Sequence, residues 1–364
     1  MSRAREFADL AGSADAGGLT GRNLIINGAM QVAQRGTSAA TKTNLAYHTV
    51  DRFKIGPNSM GTFTHTQESD GPAGFTKSVK LECTTADASP AANDSITIQN
   101  IIEAQDLQHL NKGSSDAKSV TLSFYVKSNK TGTYTAELFE DDNSRHNSKT
   151  FSVSSSGTWE YKTITFEGDT SGAMNNDNGV GFYVLWHLGA GSNFTSGTLG
   201  TSWQANDTAD RVSSSNVNLA DTVGNYFQLT GVQLEVGKQA TPFEHRSFGD
   251  ELFRCQRYFY RWISESNYGN LCMGVSINTT KARGLHRLPV EMRSQPTFSS
   301  NGTFRIAEFG GHSENTSAES ITRNHKRTPY MNWTISNASL TQGKPAELGA
   351  NNDDDAFCDF DAEL

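Results

Sequence analysis

The stretch Asn225–Arg246, NYFQLTGVQLEVGKQATPFEHR, changes the phase of its apolar alternation halfway along. Phe227 and Leu229 stand at odd positions, whereas Val232, Leu234 and Val236 stand at even ones. Side chains along a strand alternate faces with period two, so one buried face accepts both sets only where a residue has been inserted. The slip falls on Gly231, and glycine tolerates the backbone of a β-bulge. A bulged strand is therefore expected here, closing one β-sandwich. Gly237 and Pro242 follow it, and then a charged, aromatic pattern of helical spacing leads to further strands.

Working outward, the rest of the chain repeats the β signal. Val79, Leu81 and Cys83 alternate, as do Val120, Leu122, Phe124 and Val126, and Tyr134, Ala136 and Leu138. In VGFYVLWHL, Val180, Phe182, Val184, Trp186 and Leu188 share one face. WEYKTITF shows a second phase change, from Trp159 and Tyr161 to Ile164 and Phe166. NLIINGAM predicts a short strand at Leu24–Ile26 and a turn at Asn27–Gly28. Turn clusters such as SNKTG and EDDNS separate these runs, which predicts an antiparallel sandwich or barrel. Helix is expected only in small pieces, one of them near Ile101–Leu110.

After the opening stretch, Ser247 and Asp250 have the spacing of a capping box, and Leu252, Cys255 and Phe259 recur at helical spacing. This predicts a short helix, or a bent helix–strand junction, from Asp250 to about Tyr260. LCMGVSIN, GTFRIAEF, YMNWTIS and AFCDFDAEL then predict a second, smaller β-domain. The expected divisions are a leading segment 1–22, a sandwich 23–246, a helical junction 247–262 and a terminal β-domain 263–364.

Composition narrows the function. The 364 residues include 35% hydrophobic and 10% aromatic, with a formal net charge of −8. The aromatic content argues for a folded chain despite a mean hydropathy of −0.54, since disordered chains are poor in such residues. An acidic balance lacks the basic footprint of a nucleic-acid partner, and no apolar run approaches the roughly 18 residues of a membrane span. Cys83, Cys255, Cys272 and Cys358 are far apart and form no CxxC pair, which predicts reduced thiols in a chain made in a cytoplasm.

Several segments resemble one protein class. NLIINGAMQVAQRGTS with YHTVDRFKI resembles the opening of tail-fibre and virion structural proteins of tailed bacteriophages. QDLQHLNKGSSDAKSVTLSFYVKSNKTGTYTAELF is similar to the middle strands of that module, VQLEVGKQATPFEHRSFGDELFRCQRYFY to the signature that ends it, and LPVEMRSQPTF with FDAEL to the domain that often follows. The leading SRAREFADLAG is similar to the start of fibre proteins in short-tailed phages of marine bacteria. The resemblance implies an all-β chain: a jelly-roll, carbohydrate-binding-module-like sandwich, a short helical junction and a second small β-domain, in a homotrimer within the virion, assembled in the host cytoplasm. It implies no enzymatic activity. No heptad or fixed-period repeat is visible, so a stubby appendage is expected rather than a long rod.

The expected function is that of a short, non-enzymatic tail fibre anchored by residues 1–22 to phage tail or capsid proteins and engaged in adsorption to a host-surface glycan. A capsid fibre or decoration protein is the alternative, and a polysaccharide-degrading tailspike enzyme a second. Phe7 and Leu10, three apart, offer the leading segment a narrow apolar edge for virion docking. Trp203, among polar neighbours in TLGTSWQANDTAD, is the candidate sugar platform. Trp159, Trp186 and Trp333 sit in alternating strands and are read as core. No catalytic, cofactor or metal residues are assigned. Glu140, Asp141 and Asp142 read as a solvated hairpin turn. NNDDDAFCDFD lacks the Gly and Glu spacing of an EF-hand loop and reads as an acidic surface turn.

Overall fold

The computed structural model describes residues 21–364. The chain divides into two compact units, the first ending at Glu251 and the second comprising Leu252–Leu364. Phe7 and Leu10 lie outside the described residues.

The first unit contains twelve strands: β1 Ser38–Lys42, β2 Phe53–Asn58, β3 Thr62–Glu68, β4 Ser78–Thr85, β5 Ser95–Glu103, β6 Val120–Ser128, β7 Gly132–Glu140, β8 Arg145–Val153, β9 Glu160–Phe166, β10 Val180–Ala190, β11 Gln204–Ala205 and β12 Tyr226–Val236. They form two six-stranded sheets in the orders β1-β3-β4-β12-β6-β9 and β11-β8-β7-β10-β5-β2. All named pairings are antiparallel, and the two inner faces share one apolar core, the arrangement of a jelly-roll sandwich. Phe63, Leu81, Phe124 and Leu229 enter it from the first sheet, and Ile98, Leu138 and Trp186 from the second.

The bulge falls where the alternation slips. Thr230 pairs with Tyr125 and Gln233 with Ser123, so two residues of β12 oppose one of β6. Phe227, Leu229, Val232 and Leu234 are thereby all fully buried. Gly231 has φ +60°, and a Cβ there would stand 2.8 Å from the Phe75 ring and 2.9 Å from Tyr125. The second phase change has another cause. β9 runs in unbroken register with β6, so Ile164 and Phe166 face the core while Tyr161 turns outward against Tyr125, ring centroids 4.8 Å apart. No residue is inserted there; both faces of an edge strand carry apolar groups.

Other local expectations shift. Residues 101–103 continue strand β5, and only Ala104–Leu110 forms a 3-10 helix. Leu24–Ile26 is not a regular strand, although Leu24 N–H donates to Leu234 O at 2.9 Å. Trp186 and Trp333 are fully buried, whereas Trp159 is only half-buried, with its N–H 3.4 Å from Asp70. All four cysteines are buried, and none forms a disulfide among the described residues.

Helix α1, Phe248–Gln256, begins at the expected cap. Asp250 N–H donates to Ser247 Oγ at 3.2 Å, and that hydroxyl donates to the Asp250 carboxylate at 2.7 Å. The segment takes the form of a helix–strand junction: α1 ends at Gln256, and Phe259, although in helical phase with Cys255, starts strand β13, its backbone pairing with Asp361.

The second unit holds nine strands: β13 Phe259–Ile263, β14 Asn270–Ser276, β15 Lys281–Leu285, β16 Thr297–Asn301, β17 Phe304–Glu308, β18 His312–Arg323, β19 Tyr330–Ile335, β20 Pro345–Ala350 and β21 Phe357–Asp361. β14-β15-β19-β18-β17-β20 close a barrel, and β13-β21-β16 form a separate small sheet. Leu348, Ile306, Trp333 and Met331 fill the interior, with Phe304 edge-to-face on Trp333 at 5.3 Å. β18, HSENTSAESITR, has no apolar alternation; its pairing with β17 and β19 makes it a strand.

Substituting Gly231→Ala should destabilise the first unit by about 2–4 kcal/mol, through positive φ and steric conflict with two rings, measured by urea unfolding. A pH effect should arise at His65. It is fully buried, neither ring nitrogen has a hydrogen-bond partner among the described residues, and its ring meets His48 edge-on at 4.7 Å. Burial first, then the positive charge of His48 and Lys42, pushes its pKa down to about 3. The unfolded chain protonates His65 below about pH 6.5 and the folded chain does not until about pH 3. Stability should fall across that window, by up to about 5 kcal/mol from this group; His65→Leu should flatten it in thermal melts recorded against pH.

Candidate functional site

β10 alternates strictly. Phe182, Val184, Trp186 and Leu188 turn into the core, which sends Tyr183, Leu185 and His187 to the outer face of the second sheet. On β5, Ile96 and Ile98 point inward, so Ser95, Thr97 and Gln99 share that outer face. On β7, Tyr134, Ala136 and Leu138 point inward, leaving Thr135, Glu137 and Phe139 outside. A groove of about 380 Å³ lies on this face. Its floor is Ser95, Thr97, Gln99, Leu185 and His187; one side is Thr43, Asn44, Leu45, Asn58 and Ser59, and the other Phe194 and Arg211.

Glu137 organises the floor. It pairs with Leu185 across the sheet yet is fully buried beneath the segment that carries Arg211. Arg211 grips it with two parallel hydrogen bonds, Nε to Oε1 at 2.7 Å and a terminal nitrogen to Oε2 at 3.0 Å. His187 Nε2 lies 2.7 Å from Oε2, and His146 Nδ1 3.5 Å from Oε1. Burial alone would raise the pKa of this carboxyl; the Arg211 charge and the two histidine hydrogen bonds outweigh it and hold Glu137 well below the usual carboxylate range. The guanidinium also lies over the Phe139 ring, 4.8 Å from its centroid.

An ionised carboxylate only accepts, so His187 Nε2 is the donor in its contact with Glu137. Nδ1 is buried and has no hydrogen-bond partner among the described residues. Gln99 is also tethered, its amide donating to Thr97 Oγ1 at 3.0 Å. The groove thus offers a pinned guanidinium, side-chain amides and hydroxyls, with Leu185 and Phe194 as apolar surface. None of its lining residues carries a carboxylate.

The sequence candidates fall elsewhere. Trp203 is not a lining residue: it is half-buried, stacks on Phe182 at 5.8 Å, packs against the core and donates its indole N–H to Glu167 O at 2.6 Å. Glu140 is not solvated, unlike its exposed neighbours Asp141 and Asp142. It accepts from Asn143 N–H at 3.0 Å and lies 3.4 Å from the Lys112 ammonium, which also lies 3.2 Å from Asp169. On the acidic turn, Asp353 accepts from Thr303 N–H at 2.7 Å. Sequence reading missed Glu137, His187 and Arg211 because it followed only the apolar half of each alternation. The available signal was the opposite parity of β7 and β10, which places an acid and an imidazole on one face.

No family model and no curated protein matches this chain. Solved structures do resemble it. One is the enzymatically active domain of tailspike protein 4 of bacteriophage CBA120, with TM-score 0.33 and 14% identity over 59% of this chain; the match spans only 21% of that longer chain. A CBM4 carbohydrate-binding module is matched at TM-score 0.31 and 12% identity, over 58% of this chain and 99% of its own. The TmCBM61 module, solved with β-1,4-galactotriose, is matched at TM-score 0.30 and 8% identity, over 59% and 99%.

Replacing Glu137 with Gln should cost about 3 kcal/mol at neutral pH, since it leaves Arg211 without its charge partner. The native carboxylate's advantage exists above the unfolded pKa and fades as pH falls below about 4.5, so the gap between the two proteins should narrow in acid. Urea unfolding at neutral and acid pH measures both.

Proposed function

We propose that this chain is a non-enzymatic component of a tailed-phage particle whose sandwich groove binds a host-surface glycan. The observation that carries the reading is the groove itself, where a buried Glu137 holds Arg211 and His187 in place beside the side-chain amides of Asn44, Asn58 and Gln99. Sugars present vicinal hydroxyls that both donate and accept, and amides and hydroxyls held on a rigid sheet match that chemistry at low entropic cost. Leu185 and Phe194 offer apolar surface to a ring's C–H face. Glycoside hydrolysis needs two carboxylates about 5–10 Å apart across the bond, and the groove walls supply none, which favours binding over cleavage. The segments that resemble tail-fibre and virion structural proteins support the particle setting, and many copies acting together would offset weak single-site affinity.

In this reading the chain is a short tail fibre, with residues 1–22 as its anchor, and works as a homotrimer. Exposed Met273 and Val275 on strand β14 and Phe309 in the turn after β17 supply apolar surface for such self-association. Sedimentation equilibrium of the purified chain should give three times the monomer mass; a monomer sinks the trimer.

Glycan binding is tested by screening purified protein against host envelope polysaccharides. Asn58→Ala and Gln99→Ala together should weaken the strongest response about tenfold, the loss of two modest hydrogen bonds, while circular dichroism stays unchanged. Binding that ignores both substitutions removes the groove from the reading, and release of new reducing ends removes the non-enzymatic part.

A further inference from the structure

The second unit holds an unneutralised cationic surface. Residues 252–364 contain twelve Lys and Arg and twelve Asp and Glu, so this unit is neutral while the whole chain stands at −8. The charges are nonetheless sorted. Arg261 pairs with Asp359, Arg305 with Glu347 and Lys344 with Glu308. Arg283, Arg287, Arg323, Lys326 and Arg327 have no carboxylate partner among the described residues.

The backbone brings these five to one end of the barrel. Leu285 pairs with Tyr330 across β15 and β19, and Tyr330 pairs with Arg323 on β18. Beyond those strands the chain stays zipped: Leu288 N–H donates to Arg327 O at 2.9 Å, Met292 N–H to Lys326 O at 2.9 Å and His286 N–H to Pro329 O at 3.2 Å. Arg283, Leu285 and Arg287 share the outward parity of their segment, with Ala282, Gly284 and His286 buried between them. The Arg323 guanidinium lies 5.5 Å from the Tyr330 centroid, and the His325 ring 6.2 Å from it. A groove of about 490 Å³ opens there, walled by Lys326, Arg327 and His325 over an apolar floor of Tyr330 and Leu285, with Glu291 as its one lining carboxylate.

We propose that this end of the barrel binds a polyanionic polysaccharide, holding its carboxylate or phosphate groups with Arg287, Lys326 and Arg327 and laying a sugar ring on Tyr330. The groove lining sets Lys326 and Arg327 against Glu291 alone, and with Arg283, Arg287 and Arg323 on the adjoining segments this leaves a local positive surplus that an anionic ligand would complete. An aromatic floor in a groove this size suits a short sugar segment. The choice of a polysaccharide rests on the glycan-adsorption reading above, but the site is separate from the sandwich groove.

The test uses the full chain and three probes: polygalacturonate, neutral dextran and a short oligothymidylate, each titrated at low and high salt. Polygalacturonate should bind, more weakly as salt rises, and dextran should not. Arg287→Ala, Lys326→Ala and Arg327→Ala combined should weaken it about tenfold; all three are exposed, so circular dichroism should stay unchanged. The Asn58→Ala/Gln99→Ala protein should bind polygalacturonate as before, so failure of the sandwich groove would leave this result standing. Absent polygalacturonate binding, binding that survives the triple substitution, or tighter binding of the oligonucleotide each overturns the proposal.

Discussion

A single inserted residue on β12 sets the register of the sandwich. β12 sits inside its sheet, bonded to β4 on one side and β6 on the other. A period-two strand cannot bury both Phe227 and Val232 on one face without an insertion, and the alternative is to turn half the strand's apolar groups into water. Glycine at 231 resolves this because a left-handed backbone with no Cβ leaves room for Phe75 and Tyr125. Those two rings belong to an aromatic line on the outer face that also includes Phe243, His245 and Tyr161. The bulge thus serves the core on one side and a ring cluster on the other.

The opposite sheet solves a different problem, the burial of charge. Glu137 is removed from water entirely, which is tolerable only because Arg211 and two imidazoles converge on it. The arrangement fixes the segment carrying Arg211 over β7 and gives the outer face a defined polar geometry. Lys112 plays a comparable part elsewhere in the same unit, its ammonium shared among Glu140, Asp169 and the carbonyls of Ser171 and Gly172. In both places buried charges are matched within one cluster, so loops are held by ion pairs as well as by apolar contact.

The two units carry their polar chemistry differently. In the sandwich it lies in a sheet face whose key groups are already engaged with one another. In the barrel the cations at one end remain open. A chain that meets a heterogeneous surface gains from such a division, since a preorganised hydrogen-bonding groove and an electrostatic patch respond to different features of a ligand and differently to salt.

The amino-acid order by itself determined the β class, the bulge at Gly231, the helical cap at Ser247 and most strands whose apolar residues alternate, because burial on one face imposes a period that can be read locally. It did not disclose β18, a polar strand defined by its neighbours' free backbone groups, nor the end of α1, where Phe259 follows its partner strand rather than helical spacing. The groove was hidden for a related reason. Glu137, His187 and Arg211 are distant in sequence, each reads as an ordinary solvated residue, and only the pairing of β7 with β10 and the path of the Arg211 segment bring them within hydrogen-bonding distance. Periodicity reports which face of a strand is buried; which polar groups meet on the other face is decided by strand order, and strand order is a property of the folded chain.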